Sequence, residues 1–163
     1  MNSAALVDTK ATRLLAAHGV AYLVLPHTTP VFTVAEAAAQ RGVVAEEMVK
    51  SILLRETNGD RYVMACVLGP QRLDHRAVRA HLPGAWGRLT FAGAEEIVAV
   101  TGYPKGAVNP LCLPADVPVI FDEAISRLHR VNISAGNLMF GLELEAADLI
   151  RLAGAQLAAI AEA

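Results

Sequence analysis

The sequence predicts a single α/β domain with a mixed sheet, and three observations support this fold class. A chain of 163 residues, 54% hydrophobic and 18% charged, is typical of one globular domain with a sizeable core. Asn58-Gly59 separates two apolar runs, Met48–Glu56 and Arg61–Leu68, which is a strong β-hairpin signal. Helical and strand-like segments then continue without a repeat or a linker. We therefore expect one domain over residues 1–163, with hairpins rather than strict βαβ alternation.

Capping residues predict where the helices of the first half begin and end. The segment Asp8–His18 is amphipathic and stops at Gly19. Thr33-Val34-Ala35-Glu36 is a capping box, because the threonine and glutamate side chains satisfy free N–H groups at a helix start. That helix is expected to run to about Arg41, with Gly42 as its C-terminal stop.

The other elements follow from short apolar runs between turn residues. We expect strands at 21–25, 88–91, 117–121, 130–133 and 138–144, helices at 74–82, 93–100 and 145–152, and a final apolar element at 156–160. Ser134-Ala135-Gly136-Asn137 is predicted to be a turn between two of these strands, and Asp122-Glu123 to cap another turn.

Composition excludes several classes of protein. The longest uncharged run, 14–35, contains Gly19, Pro26 and Pro30 and is not predicted to span a membrane; with no signal-like N-terminus, we expect a cytoplasmic protein. Two cysteines outside any CxxC pair disfavour a disulfide framework or a zinc site. The net charge of −2 gives no general attraction for nucleic acid, so RNA contact requires a local patch. Arg72, Arg76, Arg79 and Arg88 against Asp74 alone form such a patch, which is otherwise a solvated face.

The segment from Thr101 to Leu111 is predicted to be a shaped loop. Two glycines and two prolines within it forbid regular structure and leave backbone N–H groups free to face a ligand. A surface connection is the ordinary use of such residues, so the loop alone does not establish a site.

Lys50 is the most informative single side chain. Strand alternation puts it on one face with Met48, Ile52 and Leu54, where it is the only charge. An unpaired buried ammonium is costly, so Lys50 either extends to the surface or lies in a pocket that holds an anion such as phosphate.

Other chemical motifs are weak or absent. His27 could act as a base or stack on a ring, but a lone histidine in a loop is more often structural. Ser134 lacks the Gly-x-Ser-x-Gly context of a hydrolase nucleophile, and no Walker A or dinucleotide fingerprint is present.

These segments together resemble the YbaK/prolyl-tRNA synthetase editing-domain superfamily of aminoacyl-tRNA deacylases. The resemblance covers nearly the whole chain, and the order and spacing of its motifs are more specific than any one motif. The matching segments are Val49-Lys50-Ser51-Ile52-Leu53-Leu54, Arg72-Leu73-Asp74, Thr101–Pro110 with the GxxxP loop Gly106–Pro110, Ser134-Ala135-Gly136 and Gly141-Leu142-Glu143-Leu144.

The resemblance implies a mixed, barrel-like sheet surrounded by helices and hydrolysis of the ester that joins a wrong amino acid to tRNA, without metal or cofactor. It implies catalytic roles for Lys50 and Gly106. The substrate-binding set it implies is His27, Ala107, Val108, Asn109, Pro110, Ser134, Ala135 and Gly136. The implied partner is mischarged aminoacyl-tRNA, and whether a synthetase is a second partner is left open; neither DNA nor a membrane is expected. The candidate tRNA contacts are Arg72, Arg76 and Arg79.

Departures from the superfamily pattern leave the substrate open. Asn109 stands where many relatives carry serine, and Ala107 replaces a common second glycine. We expect a trans-acting deacylase for a small mischarged amino acid, with tRNA(Pro) favoured. A non-catalytic module that binds aminoacyl-tRNA or a synthetase, and a hydrolase of another small acyl ester, are the alternatives.

Overall fold

The computed structural model describes residues 7–163, so residues 1–6 of the predicted domain lie outside the described residues. The helices are α1 (Lys10–Ala17), α2 (Val34–Arg41), α3 (His75–His81), α4 (Ala94–Thr101) and α5 (Ala146–Ala153). The strands are β1 (Leu23–Pro26), β2 (Val49–Glu56), β3 (Tyr62–Leu68), β4 (Leu89–Phe91), β5 (Val119–Asp122), β6 (Arg130–Asn137), β7 (Phe140–Glu145) and β8 (Gln156–Ala158). Short 3₁₀ helices occupy Ala45–Glu47 and Glu123–Arg127.

The strands form two open sheets. One has the order β1-β7-β6 and is antiparallel; the other has the order β4-β2-β3-β5-β8 and mixes antiparallel with parallel pairs. The α/β class and the mixed sheet are therefore confirmed. A closed barrel is not formed among the described residues, because the backbone pairing between the two sheets is limited to a single bridge between Met48 and Asn132.

Local capping accounts for the helix boundaries. The Thr33 side chain accepts the Glu36 N–H, and Gly42 ends α2 in the left-handed conformation, as the sequence predicts. Asp74 accepts the N–H groups of Arg76 and Ala77 at the start of α3. The hairpin of β2 and β3 is also confirmed, with Lys50 opposite Val67.

The predicted turn at 134–137 is wrong. β6 continues to Asn137, and its register with β7 shifts between Ser134 and Asn137. Gly136 has a φ of 89°, so the extra residues are absorbed as a bulge within the strand and not as a chain reversal.

The core lies on both sides of the larger sheet. Val49 and Leu53 of β2 pack into a cluster with the smaller sheet, while Leu54 packs into a second cluster under α3. Lys50 is therefore on the same strand face as Leu54, as the alternation predicts. No helix within residues 7–163 is long and apolar enough to cross a bilayer.

Candidate active site

A cavity of about 420 Å³ lies between β2 and the loop 102–111, beside the bridge that joins the two sheets. It brings together four of the predicted site residues, which are distant in sequence: Lys50, Gly106, Val108 and Ser134. The other lining residues come from the segment around α2 (31–34, Ala37, Arg41), from β2 and its start (Met48, Val49 and 51–53), from Phe91, Ala92 and Ile97, and from Lys105.

The cavity lining contains three cations, Arg41, Lys50 and Lys105, and no carboxylate. The Lys50 ammonium donates to the carbonyl oxygen of Gln71, a neutral acceptor. Burial lowers the pKa of Lys50, and the positive charge of Arg72 lowers it further. The cavity is therefore electropositive and suited to an anionic ligand.

The loop 102–111 is held in shape by its own side chains. The Tyr103 hydroxyl donates to the Leu111 carbonyl over 2.7 Å, and the Thr101 hydroxyl accepts the Tyr103 N–H over 3.0 Å. Gly106 has a φ of 89° and a Cβ there would lie 3.2 Å from Leu138, so the position requires glycine.

Three N–H groups in the cavity-lining part of this loop have no acceptor in the protein. Within the described part of the chain, these are the N–H groups of Lys105, Gly106 and Val108, whereas the Ala107 N–H donates to the Pro104 carbonyl. Gly106 and Val108 both line the cavity. The loop can therefore present backbone donors to an oxygen atom in the cavity.

Asn109 fixes the loop against β6. Its side chain is fully buried, donates to the Ser134 carbonyl over 3.1 Å and accepts the Leu111 N–H over 2.9 Å. Because the side-chain amide of Asn109 is hydrogen-bonded within the protein, it positions the loop beside Ser134.

Several predicted substrate-binding residues lie behind the cavity wall and not in its lining. Ala107 and Ala135 are fully buried, and the Ala135 carbonyl accepts the Thr9 hydroxyl. Pro110 lines a different depression. Gly136 lies against the Tyr103 ring, where a Cβ would be 2.8 Å from a ring carbon. Contact of these residues with substrate stays a prediction. The contacts that they make in the structure support the cavity wall from behind.

The sequence did not single out Arg41, which is the most constrained cation of the cavity. Its Nε donates to His27 Nε2 over 3.0 Å, and its Nη1 donates to Asn132 Oδ1 over 2.8 Å. Burial lowers the pKa of Arg41 to about 10, which leaves it protonated at neutral pH. An arginine in the last turn of a helix is an ordinary complement to the helix dipole, so no sequence signal marked it.

His27 supports Arg41 and does not line the cavity. Its Nδ1 lies 2.9 Å from the Leu138 carbonyl, so Nδ1 carries the proton and Nε2 accepts from Arg41. Burial lowers the pKa of His27, the Leu138 carbonyl partly opposes this, and the Arg41 charge lowers it again. The neutral form of His27 is therefore the one that holds Arg41.

Gly141 of β7 gives Arg41 its space. A Cβ at this position would lie 2.2 Å from Arg41 Nε and 2.6 Å from the guanidinium carbon. The guanidinium thus packs directly on the backbone of β7, which only glycine allows.

The predicted tRNA contacts fall into two places. Arg76 and Arg79 share a groove of about 690 Å³ with His75, Arg88 and Leu89. Arg72 lies outside this groove and faces Glu162, with 3.6 Å between Nε and Oε2.

The sequence profile of the aminoacyl-tRNA editing domain matches residues 28–152. The chain belongs to this family. It is 32% identical over 109 residues to a proline–tRNA ligase of Trichlorobacter lovleyi and 34% identical over 108 residues to that of Kosmotoga olearia. These matches cover 67% and 66% of the chain but only 18% of each ligase.

Solved structures agree with this membership. A hypothetical protein is 28% identical with a TM-score of 0.83, covering 94% of this chain and 100% of its own. A protein described as a candidate trans-editing enzyme for prolyl-tRNA synthetase is 25% identical with a TM-score of 0.80, covering 96% and 100%.

The polar groups of this cavity limit the chemistry that its side chains can offer. Burial raises the pKa of the Cys66 thiol to about 12, so it is not a thiolate near neutral pH. No group of three metal-binding side chains is found in residues 7–163. The arrangement offers cations, backbone donors and the Ser51 and Ser134 hydroxyls to a polar substrate.

Proposed function

We propose that this protein is a trans-acting aminoacyl-tRNA deacylase, which removes a small mischarged amino acid from tRNA, with tRNA(Pro) as the favoured carrier. The observation that carries the proposal is the single cavity that contains both Lys50 and the Gly106–Val108 donors. Similarity to proline–tRNA ligases and to a candidate trans-editing enzyme supports the choice of tRNA and of action in trans.

In this mechanism water attacks the carbonyl carbon of the ester. The bond from that carbon to the ribose oxygen breaks, and the ribose oxygen leaves with a proton. The N–H groups of Gly106 and Val108 donate to the oxyanion that develops, and each such donor contributes about 10²–10³ in rate. An ester activated by the ribose is an easy substrate, so ordering the water and the ester supplies much of the remainder.

Lys50 and Arg41 have complementary roles. Lys50 binds the phosphate or ribose of the 3′-terminal nucleotide, and this anion offsets the burial that lowers the pKa of its ammonium. Arg41 donates to Asn132, which forms the bridge between the two sheets, and it keeps the cavity electropositive. No carboxylate in the lining competes for either cation.

The test is a deacylation panel. Purified protein is mixed with tRNA(Pro), tRNA(Ala), tRNA(Thr) and tRNA(Cys), each charged either with its own amino acid or with a mismatched alanine, serine, threonine or cysteine. We expect turnover of one mischarged species, lost in Lys50→Ala and kept in Arg127→Ala, which removes an exposed arginine paired with Glu123. Equal rates for Lys50→Ala and wild type would contradict the proposal.

A non-catalytic module is the second candidate, favoured by a cavity lining in which the described residues include neither a histidine nor a carboxylate that could act as a general base. Bound tRNA without turnover across the panel would support it. Turnover of simple acyl esters without tRNA would instead support a small-ester hydrolase.

A further inference from the structure

The arginines of this chain divide into two sets. Seven of them pair with a carboxylate: Arg13, Arg55, Arg61, Arg72, Arg127, Arg130 and Arg151. The four without a carboxylate partner in residues 7–163 are Arg41, Arg76, Arg79 and Arg88. All four line either the cavity or the groove beside α3. The arginines without a carboxylate partner are therefore concentrated where a polyanion would contact them.

One exposed aromatic side chain lies between these two places. Phe91, at the end of β4, is 62% exposed and lines the cavity. Its ring contacts the His75 ring edge to face, with 4.8 Å between the centroids, and His75 lines the groove. Because the Phe91 ring is exposed where two cationic surfaces meet, it does not serve the hydrophobic core and is accessible to a ligand.

Phe91 is also held in a fixed position. It pairs with Leu54 across β2, and the Ala92 N–H donates to the Leu53 carbonyl over 3.0 Å. The strand therefore presents the ring to solvent at little cost in conformational entropy. Aromatic rings held in this way stack on the bases of single-stranded nucleic acid, while nearby arginines contact its phosphates.

We infer that Phe91 stacks on an unpaired base of the tRNA 3′ end, and that the groove of His75, Arg76, Arg79 and Arg88 binds the phosphates that precede it. This inference rests on the proposed function for the identity of the RNA. The end of the duplex lies at the groove, and the single strand that follows it runs over Phe91 into the cavity that contains Lys50. Arg72 lies outside the groove and faces Glu162, so it is not part of this path.

The experiment uses uncharged RNA, so its outcome does not depend on hydrolysis. The probes are a fluorescent hairpin RNA with a single-stranded 3′ overhang and the same hairpin with a blunt end. Binding by the full chain is compared for wild type, Phe91→Leu, Phe91→Trp and a control, Val98→Ala, which truncates another exposed apolar side chain outside the cavity lining.

We expect Phe91→Leu to weaken binding of the overhang probe about fivefold or more and to leave the blunt probe unchanged. Phe91→Trp keeps the affinity, because it keeps the aromatic face. Arg76→Gln and Arg79→Gln weaken both probes and make binding less dependent on salt concentration.

Equal affinity of wild type and Phe91→Leu for the overhang probe would overturn the inference, as would an equal loss for both probes. Loss of the overhang preference in Phe91→Leu without any deacylation by wild type would sustain the inference and overturn the proposed enzymatic activity instead.

Discussion

The cavity around Arg41 and the buried carboxylate of Asp122 differ in how the surrounding protein stabilises their charge. Asp122 is 4% exposed and accepts four hydrogen bonds, from the N–H groups of Ala124, Ile160 and Ala161 and from the Gln71 side chain. Burial raises the pKa of this carboxyl, but the four donors outweigh it, and the pKa is lowered. Arg41 and Lys50 instead meet only neutral acceptors.

This difference separates a structural charge from a binding charge. The Asp122 carboxylate is saturated by the protein and joins β5 to the C-terminal segment, so it has nothing left for a ligand. The cavity cations keep their charge without a counter-ion, which a ligand can supply. Gln71 links the two regions, because its side chain donates to Asp122 and its carbonyl accepts from Lys50.

The largest effect is expected from Asp122→Ala. The N–H groups of Ala124, Ile160 and Ala161 lose their acceptor, and each unsatisfied buried donor costs about 1–3 kcal/mol. We expect the free energy of unfolding to fall by about 3 kcal/mol or more, measured by urea denaturation. The control Asp116→Ala, at an exposed position, is expected to change it by less than about 0.5 kcal/mol. Equal stability of the two variants would refute the structural role.

Gly141→Ala is expected to act next most strongly. Its Cβ would lie 2.2 Å from Arg41 Nε, so the guanidinium must leave Asn132 and His27. We expect destabilisation of about 1–3 kcal/mol together with weaker binding of RNA. Gly87→Ala is the matched control, since its Cβ has no neighbour closer than 3.4 Å. Unchanged RNA affinity in Gly141→Ala would show that Arg41 does not contribute to the ligand site.

The smallest effect concerns pH and His27. Its folded pKa is lowered below the ordinary value of 6.5, so the unfolded chain binds the proton more readily. The stability from this site is complete above about pH 6.5 and decreases as the pH falls below that value. We expect His27→Gln to flatten the pH dependence of the melting temperature below about pH 6.5. A pH dependence kept in His27→Gln would contradict this assignment.

Local chemistry explains which parts of this structure could be predicted. Caps such as Thr33 and Asp74 and the Asn58-Gly59 hairpin act over a few residues, so the sequence shows them directly. Alternation likewise put Lys50 on the face of Leu54. The placement of Arg41 could not be predicted, because it depends on Gly141 and Asn132 of distant strands and on His27, which directly follows β1.

Tertiary pairing explains the errors. Residues 134–137 have turn chemistry, but β7 pairs with this segment and Gly136 absorbs the bulge. Asn109, which the resemblance placed in the substrate-binding set, is a different case: its side chain is buried and bonded to β6, and its contact with substrate stays a prediction. The resemblance implied a barrel-like sheet, whereas the structure has two open sheets. This difference depends on how far the backbones of β2 and β6 continue to pair after Met48.

The most direct test measures the rate of deacylation and the melting temperature of Lys50→Met on one preparation, with tRNA(Pro) charged with alanine and with the mischarged species that wild type hydrolyses fastest. The variant replaces an uncompensated cation with an apolar chain of similar length, which is often neutral or stabilising for the fold. We predict an unchanged or higher melting temperature and a rate lower by roughly 10²-fold. A lower melting temperature with a preserved rate would contradict the account, because Lys50 would then serve the fold and not the substrate.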